Sequence, residues 1–325
     1  MHTLALSLVV AAASGMPNIT GAQNYPARPI TIIAPSAAGG PTDIAARMAA
    51  QILTEQLSAS VVVENRTGAG NTAGTEYAAK AKPDGYTLTL GSPSSHSIPP
   101  SIYPNLPYDP LRDFTPVSLL GTAPLILVAH LSLPVKSVKD LIALAKARPG
   151  QLNFGTGGSG TTGHLTAEYF KLAGGFSATH IPFRGVAPAT VQLLGGHTQY
   201  MFHISNIGIG HVQSGKLRGL GITSKTRAPQ VPDIPTMEEA GLPGFVVYTW
   251  YGVLGPRGVD KSIVERLHGA LTTGAKKPEM RKKFESQGLD VVAGSPEELQ
   301  TLIRDETARW AKVAKLARAS GAKID

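Results

Sequence analysis

The chain has 325 residues, a formal net charge of +8, 16% charged residues and no cysteine. Its length predicts two ordinary domains, and the missing cysteine excludes disulfides and thiolate chemistry. Lys and Arg are scattered, with the densest run at Lys276-Lys277 and Arg281-Lys282-Lys283 and no interleaved aromatics, so the basic balance predicts attraction of small anions rather than nucleic acid.

In chain order, Leu4 to Ala13 is an apolar run too short to span a bilayer, followed by the small residues Thr20-Gly21-Ala22. It reads as a signal peptide over 1–22, although no Lys or Arg precedes Arg28. Ile30 to Ala34 is β-branched and apolar, as a buried strand should be. Ile44, Met48 and Ile52 then recur at helical spacing. Val61–Val63 reads as a strand, Thr75–Lys82 as a helix ended by Pro83-Asp84-Gly85, and Tyr86–Gly91 as a strand. This βαβαβ order predicts a parallel sheet flanked by helices.

Ser92–Pro116 reads as loop. Val117–Ala129 is apolar and crosses into a second unit that begins near Pro124. That unit has helices over 137–146, 164–172 and 187–194, and strands over 152–154, 180–183, 200–204 and 217–223. The segment 229–243 reads as surface loop with a short helical stretch. Val246–Leu254 is a return strand to the first unit, followed by helices over 263–273 and 296–316. Ser295, Pro296, Glu297 and Glu298 form a strong helix start. The domains predicted are 23–123 with 247–325, and 124–246.

Two glycine-rich turns carry the chemistry. Ser36-Ala37-Ala38-Gly39-Gly40-Pro41-Thr42-Asp43 and Thr156-Gly157-Gly158-Ser159-Gly160-Thr161-Thr162-Gly163-His164 each lie between a strand and a helix. Such turns aim backbone N–H groups at a point before a helix, where the dipole also favours negative charge. Two of them, a domain apart, suggest two jaws on one small anion. Asp43 suits the helix dipole as well as an indirect ligand role, and Thr42 suits an N-cap as well as a hydroxyl contact.

The chain resembles the periplasmic solute-binding proteins of tripartite tricarboxylate transporters, the Bug family. The resemblance runs from about Tyr25 to the C-terminus. It rests on Tyr25-Pro26-Ala27-Arg28-Pro29-Ile30, Gly39-Gly40-Pro41-Thr42-Asp43, Val63-Glu64-Asn65-Arg66-Thr67-Gly68-Ala69-Gly70, Lys82-Pro83-Asp84-Gly85-Tyr86-Thr87-Leu88, Leu106-Pro107-Tyr108-Asp109-Pro110, Pro182-Phe183-Arg184-Gly185 and Pro232-Asp233-Ile234-Pro235-Thr236. It implies an α/β, two-domain periplasmic-binding-protein clamshell (type II-like). Such a protein is not an enzyme and uses no cofactor. It is a monomer that takes a small carboxylate to membrane permease subunits. The resemblance carries ligand contacts to Gly39, Gly40 and Thr42, and to Thr156, Gly158, Ser159, Gly160 and Thr161; Ser36 and Asp43, at the ends of the first loop, are further ligand-binding candidates. The chain departs from the family at Gln199, where an acidic residue is usual.

The second turn also reads Gly155-x-Gly157-x-x-Gly160, the dinucleotide fingerprint, so an NAD(P)-dependent enzyme is the alternative function. The acidic residue expected about 20 positions on is missing, and no Lys follows the glycines. His164 opens the helix after the second turn and faces either the cleft or the core. Arg184 is a candidate for a second carboxylate. Ser94, His203 and Asn206 are further candidates for contacts to the ligand's tail. The nine histidines form no metal-binding motif.

Overall fold

The computed structural model describes residues 25–322 and Ile324. The signal-peptide segment 1–22 lies outside these described residues, and so does the side chain of Asn206. The first half of the chain runs β1 (Ile30–Ala34), α1 (Pro41–Leu57), β2 (Val61–Asn65), α2 (Thr72–Ala79), β3 (Thr87–Gly91), α3 (Pro99–Ile102), β4 (Phe114–Ala129) and α4 (Val138–Ala147). Next come β5 (Asn153–Thr156), α5 (Thr162–Gly174), β6 (Thr179–Pro182), α6 (Val186–Leu194), β7 (Tyr200–Ile204), α7 (Ser205–Gln213) and β8 (Arg218–Ile222). The chain closes with β9 (Tyr248–Pro256), α8 (Lys261–Ala275), α9 (Pro278–Ser286), β10 (Asp290–Gly294) and α10 (Pro296–Ala319).

The strands form one curled sheet in the order β2-β1-β3-β9-β4-β7-β5-β6, with β10 and β8 also pairing with β4. Two parallel sets, β2-β1-β3 and β6-β5-β7, flank an antiparallel centre. The 16-residue strand β4 joins them. Its stretch 114–124 pairs with β9, and its stretch 125–129 pairs with β7. Each βαβ crossover covers the sheet with helices, which is why β1 is buried almost end to end.

Two large apolar clusters lie on either side of this crossing. Ile32, Met48, Leu88 and Leu271 belong to one, and Phe154, Phe170, Phe202 and Phe245 to the other. Helix α10 spans both halves, with Leu299 and Ile303 packed beside Trp250 and with Trp310 and Val313 in the cluster of Phe154. Its start follows the expected chemistry: the Ser295 hydroxyl accepts from the Glu298 N–H at 3.1 Å while Glu298 accepts from the Ser295 N–H at 2.7 Å.

The structure departs from expectation in three places. Within the loop expected over 92–116, a wide helical turn over 93–97 and α3 form, pinned by the Tyr108 hydroxyl donating to the Ser95 carbonyl at 2.6 Å. Helices α7 and α9 and strand β10 carry no clear period in the sequence: Gly208 and Gly210 interrupt α7, and β10 is a short edge pairing on β4. The segment 229–243 is a series of turns without a helix, tied to the sheet by a bridge between Ile222 and Thr236.

Candidate ligand-binding site

Loops at the carboxyl ends of β1, β2, β3, β5 and β6 surround a cavity of about 860 Å³. This is the end of an open α/β sheet where ligands bind. Leu125, Phe202 and Ile204 of the crossing strands β4 and β7 and Thr249 and Tyr251 of β9 also line it.

In the first glycine loop, Ser36, Gly40 and Thr42 line the cavity, whereas Gly39 and Asp43 are not among its lining residues. Gly39 adopts φ +76°, and its N–H donates to Asp43 Oδ2 at 2.9 Å. Arg47 Nε donates to the same oxygen at 3.0 Å, and Asn65 Nδ2 donates to Oδ1 at 2.9 Å. Burial opposes ionisation of Asp43, but these hydrogen bonds outweigh it and hold the carboxyl below its usual range. Asp43 is therefore a brace behind the loop, with its charge already used.

Two features of this loop remain open. Ser36 Oγ is buried and has no hydrogen-bond partner among the described residues. Helix α1 begins at Pro41 on Gly40, which lacks a side chain to cap it. The first-turn N–H groups of Thr42 and Asp43 thus have neither an intrahelical nor a capping acceptor.

The second loop repeats the brace with different chemistry. Thr156, Gly158, Ser159 and Thr161 line the cavity; Gly160 and His164 stand behind it. Gly160 adopts φ +75°, and its N–H donates to His164 Nδ1 at 3.1 Å. The acceptor again lies four residues on, in the first turn of the following helix. The His164 ring stacks on His180 with centroids 3.9 Å apart, and Phe154 stacks on His180 as well. Burial, then His180 and Lys171, pushes the His164 pKa down to about 2, so the ring stays neutral and can accept. Behind it, Glu168 is ion-paired with Lys171 at 2.8 Å.

Most hydroxyls of this loop are used internally. Thr161 Oγ1 donates to the Gly158 carbonyl at 2.8 Å and accepts from the His164 N–H at 3.4 Å. Thr156 Oγ1 contacts His180 Nε2 at 2.6 Å and accepts from the Gly158 N–H at 3.2 Å. Across the cleft, Ser94 Oγ, from the loop after β3, accepts the Thr162 N–H at 3.1 Å.

Sequence reasoning missed two lining segments. Thr67, Gly68, Gly70 and Asn71, between β2 and α2, form a third glycine-rich strand-to-helix turn; its likeness to the other two was the available signal. A Cβ on Gly70 would lie 2.2 Å from the Tyr103 hydroxyl and 3.2 Å from the Ser159 carbonyl, so loops of the two halves meet there. The stretch 183–188, before and into α6, is the other, apart from Arg184, the exposed residue in it that the sequence did offer as a candidate. His203 is buried and hydrogen-bonded to Thr190 Oγ1 at 2.9 Å, outside the lining. Gln199 accepts from the Asn153 N–H at 2.8 Å and so serves β5 rather than a ligand.

The fingerprint-like glycines have packing reasons. A Cβ on Gly155 would lie 3.1 Å from Thr198 Oγ1, and one on Gly157 would lie 3.1 Å from Val186. The pattern is accounted for without a dinucleotide.

Comparison with known proteins agrees with this geometry. The profile of the tripartite tricarboxylate transporter family receptor matches residues 45–318. Protein BugT of Bordetella pertussis (strain Tohama I) is 39% identical over 322 residues, covering 99% of this chain and 98% of that protein. The solved structure of the periplasmic binding protein BugD superposes with a TM-score of 0.84 at 35% identity, covering 90% of this chain and 98% of that chain. R. palustris Rpa4515, solved with adipate, gives a TM-score of 0.86 at 36% identity over 90% of this chain and 98% of that chain. These relatives are binding proteins and transporter receptors, so the chain is a non-enzymatic solute-binding protein and the dinucleotide-enzyme alternative is set aside. With its mixed sheet curled into two lobes around one cleft, the chain belongs to the tripartite tricarboxylate transporter receptor family of periplasmic binding proteins.

Proposed function

We propose that the chain captures a small carboxylate between lobes formed by 23–123 with 247–325 and by 124–246, and delivers it to the membrane permease subunits of a tripartite transporter. The open donors of the first loop carry this reading: Ser36 Oγ is buried without a partner beside the uncapped start of α1. A carboxylate satisfies a hydroxyl and helix N-terminal N–H groups together. The acid bound in the adipate complex of the R. palustris relative is of this class. Ser36, Gly40, Thr42, Thr156, Gly158, Ser159, Thr161 and Arg184 are the proposed contact residues, because they line the cavity. Gly39, Asp43, Gly160 and His164 support the loops from behind. The protein acts as a monomer in the periplasm after export by 1–22.

The test is a thermal-shift screen of short mono- and dicarboxylates on protein stripped of bound ligand, followed by calorimetry. A true ligand raises the midpoint. Ser36→Ala then weakens that ligand by roughly 10- to 100-fold, the worth of a hydrogen bond to a charged group, with the free protein's midpoint unchanged because the hydroxyl has no partner to lose. Absence of stabilisation by any acid overturns the reading.

A further inference from the structure

We infer that the lobe of 124–246 does not move alone: residues 98–103 and the second half of α10 travel with it, and the chain bends at two joints, the wide turn over 93–97 and the stretch 304–309 of α10. This rests on the two-lobe reading above and not on which ligand is bound.

Both segments belong by sequence to the stretches 23–123 and 247–325, yet their side chains are built into the other lobe. Ile98, Ile102, Trp310, Val313 and Ala317 are each at most 6% exposed. They share one apolar cluster with Leu165 and Phe170 of α5 and with Phe245. The Arg318 guanidinium donates to the Ser101 carbonyl at 2.9 Å, which ties the two segments to each other. Arg309 donates to the Val246 carbonyl, at the end of the same lobe. Parting these segments from α5 would put several large apolar side chains into water at once. Bending the chain between the two clusters carries no such cost.

The joints lie where the side chains change allegiance. In α10, Leu299 and Ile303 pack beside Trp250 in the first lobe, and the next buried residue is Trp310 in the second. Between them, 304–309 holds no buried residue. Thr307 Oγ1 donates back to the Ile303 carbonyl at 2.7 Å, a bond that loosens and bends a helix. In the wide turn, the Ser95 carbonyl is held by Tyr108 and the His96 ring lies 4.7 Å from Phe114, both in the first lobe. Two residues on, Ile98 is in the second cluster. The turn closes by the Ile98 N–H donating to the Pro93 carbonyl at 2.8 Å, five residues back, a form that occurs mainly as single turns at functional sites. Ser97 Oγ, between the two anchors, is buried without a partner among the described residues. Ser94 of this same turn accepts the Thr162 N–H at 3.1 Å, so closure of the cleft and the shape of the joint are linked.

The chain has no cysteine, so introduced cysteines can be spin-labelled selectively. We place them at the exposed positions Glu55→Cys on α1, Lys146→Cys on α4, Pro100→Cys on α3 and Lys315→Cys on α10, two at a time. Pulsed dipolar spectroscopy on ligand-stripped protein then reads the distances. The 55–146 distance is expected to depart by several ångströms from its value in this structure, where loops of the two halves meet, and 55–315 and 55–100 to change with it. The 146–315 and 146–100 distances are expected to keep their values. If either of these changes along with 55–146, that segment does not ride on the second lobe and the inference is overturned, with capture between two lobes intact. If 55–146 itself keeps its value, the lobes do not open, and the two-lobe reading falls together with the inference.

Discussion

Gly39 and Gly160 occupy the same place in their loops. Each takes a positive φ that only glycine adopts at little cost, and each gives its N–H to a side chain four residues on. One acceptor is an anion held ionised by Arg47 and Asn65; the other is an imidazole held neutral by burial. The donors that glycine-rich turns advertise are thus partly consumed by the loop itself, and the ligand receives what is left. His164→Leu leaves the Gly160 N–H buried without an acceptor, a cost of about 1–3 kcal/mol in stability, with weaker ligand binding because the loop loses its brace. His164→Asn returns an acceptor close to the Nδ1 position and should recover much of the affinity. Equal affinity for the Leu and Asn variants by calorimetry would remove the brace. Gly158 is a poor site for a similar test: its φ of +130° strains any side chain, so a substitution disturbs the backbone as well as the ligand's approach.

The two helices that point at the cavity begin differently. Helix α1 starts uncapped on Gly40 and Pro41, whereas α5 is capped by Thr161 and its first N–H is taken by Ser94 from the other side of the cleft. The first loop therefore holds the open donors, and the second holds the contact between the lobes. Ser94→Ala removes this bond across the cleft and the 3.2 Å contact of the same hydroxyl with Thr162 Oγ1. Ligand affinity should fall by about three- to tenfold, the worth of one neutral hydrogen bond. The free protein's melting midpoint should stay within about 2 °C. A large drop in the midpoint with unchanged affinity would show that the bond serves the fold alone. The strands that frame this geometry were legible where they are central and largely apolar: Ile30–Ala34 and Tyr200–Ile204 lie where the apolar runs put them. Strand β10 was not legible, because a short edge strand is defined by its partner β4 rather than by its own pattern.

Across the whole molecule, buried neutral histidines tie stability to pH. Burial lowers His96 to about 3 and His203 to about 4; it lowers His180 to about 4 and His164 to about 2, with Lys171 adding to both of these shifts and His180 also to that of His164. In the unfolded chain each returns to the ordinary value near 6.5. The unfolded state therefore binds more protons below that value, so the stability these groups contribute is complete above about pH 6.5 and is lost as pH falls towards the folded values. Four such groups give a slope of at most about 5 kcal/mol per pH unit. The melting midpoint should be level from pH 8 to 7 and fall steeply from 6 to 4.5, less steeply in His203→Gln. A flat midpoint down to pH 5 would show that these rings are not held neutral.

The sequence by itself determined the order of the central strands and their crossover helices, the two glycine loops at strand ends and the crossing at Val117–Ala129. These depend on local periodicity and on residues whose backbone freedom is their own property. The tertiary structure decided which donors are free. That depends on Asp43 and His164 folding back on their loops, on Asn65 and His180 brought in from other strands, and on a third loop around Gly68 and Gly70. It also decided which residues share the cleft, since Ser36, Asn71, Ser94, Thr161 and Arg184 reach one cavity from separate elements. An N–H group is a ligand contact only when no neighbour has taken it, and that depends on packing rather than on the order of residues along the chain.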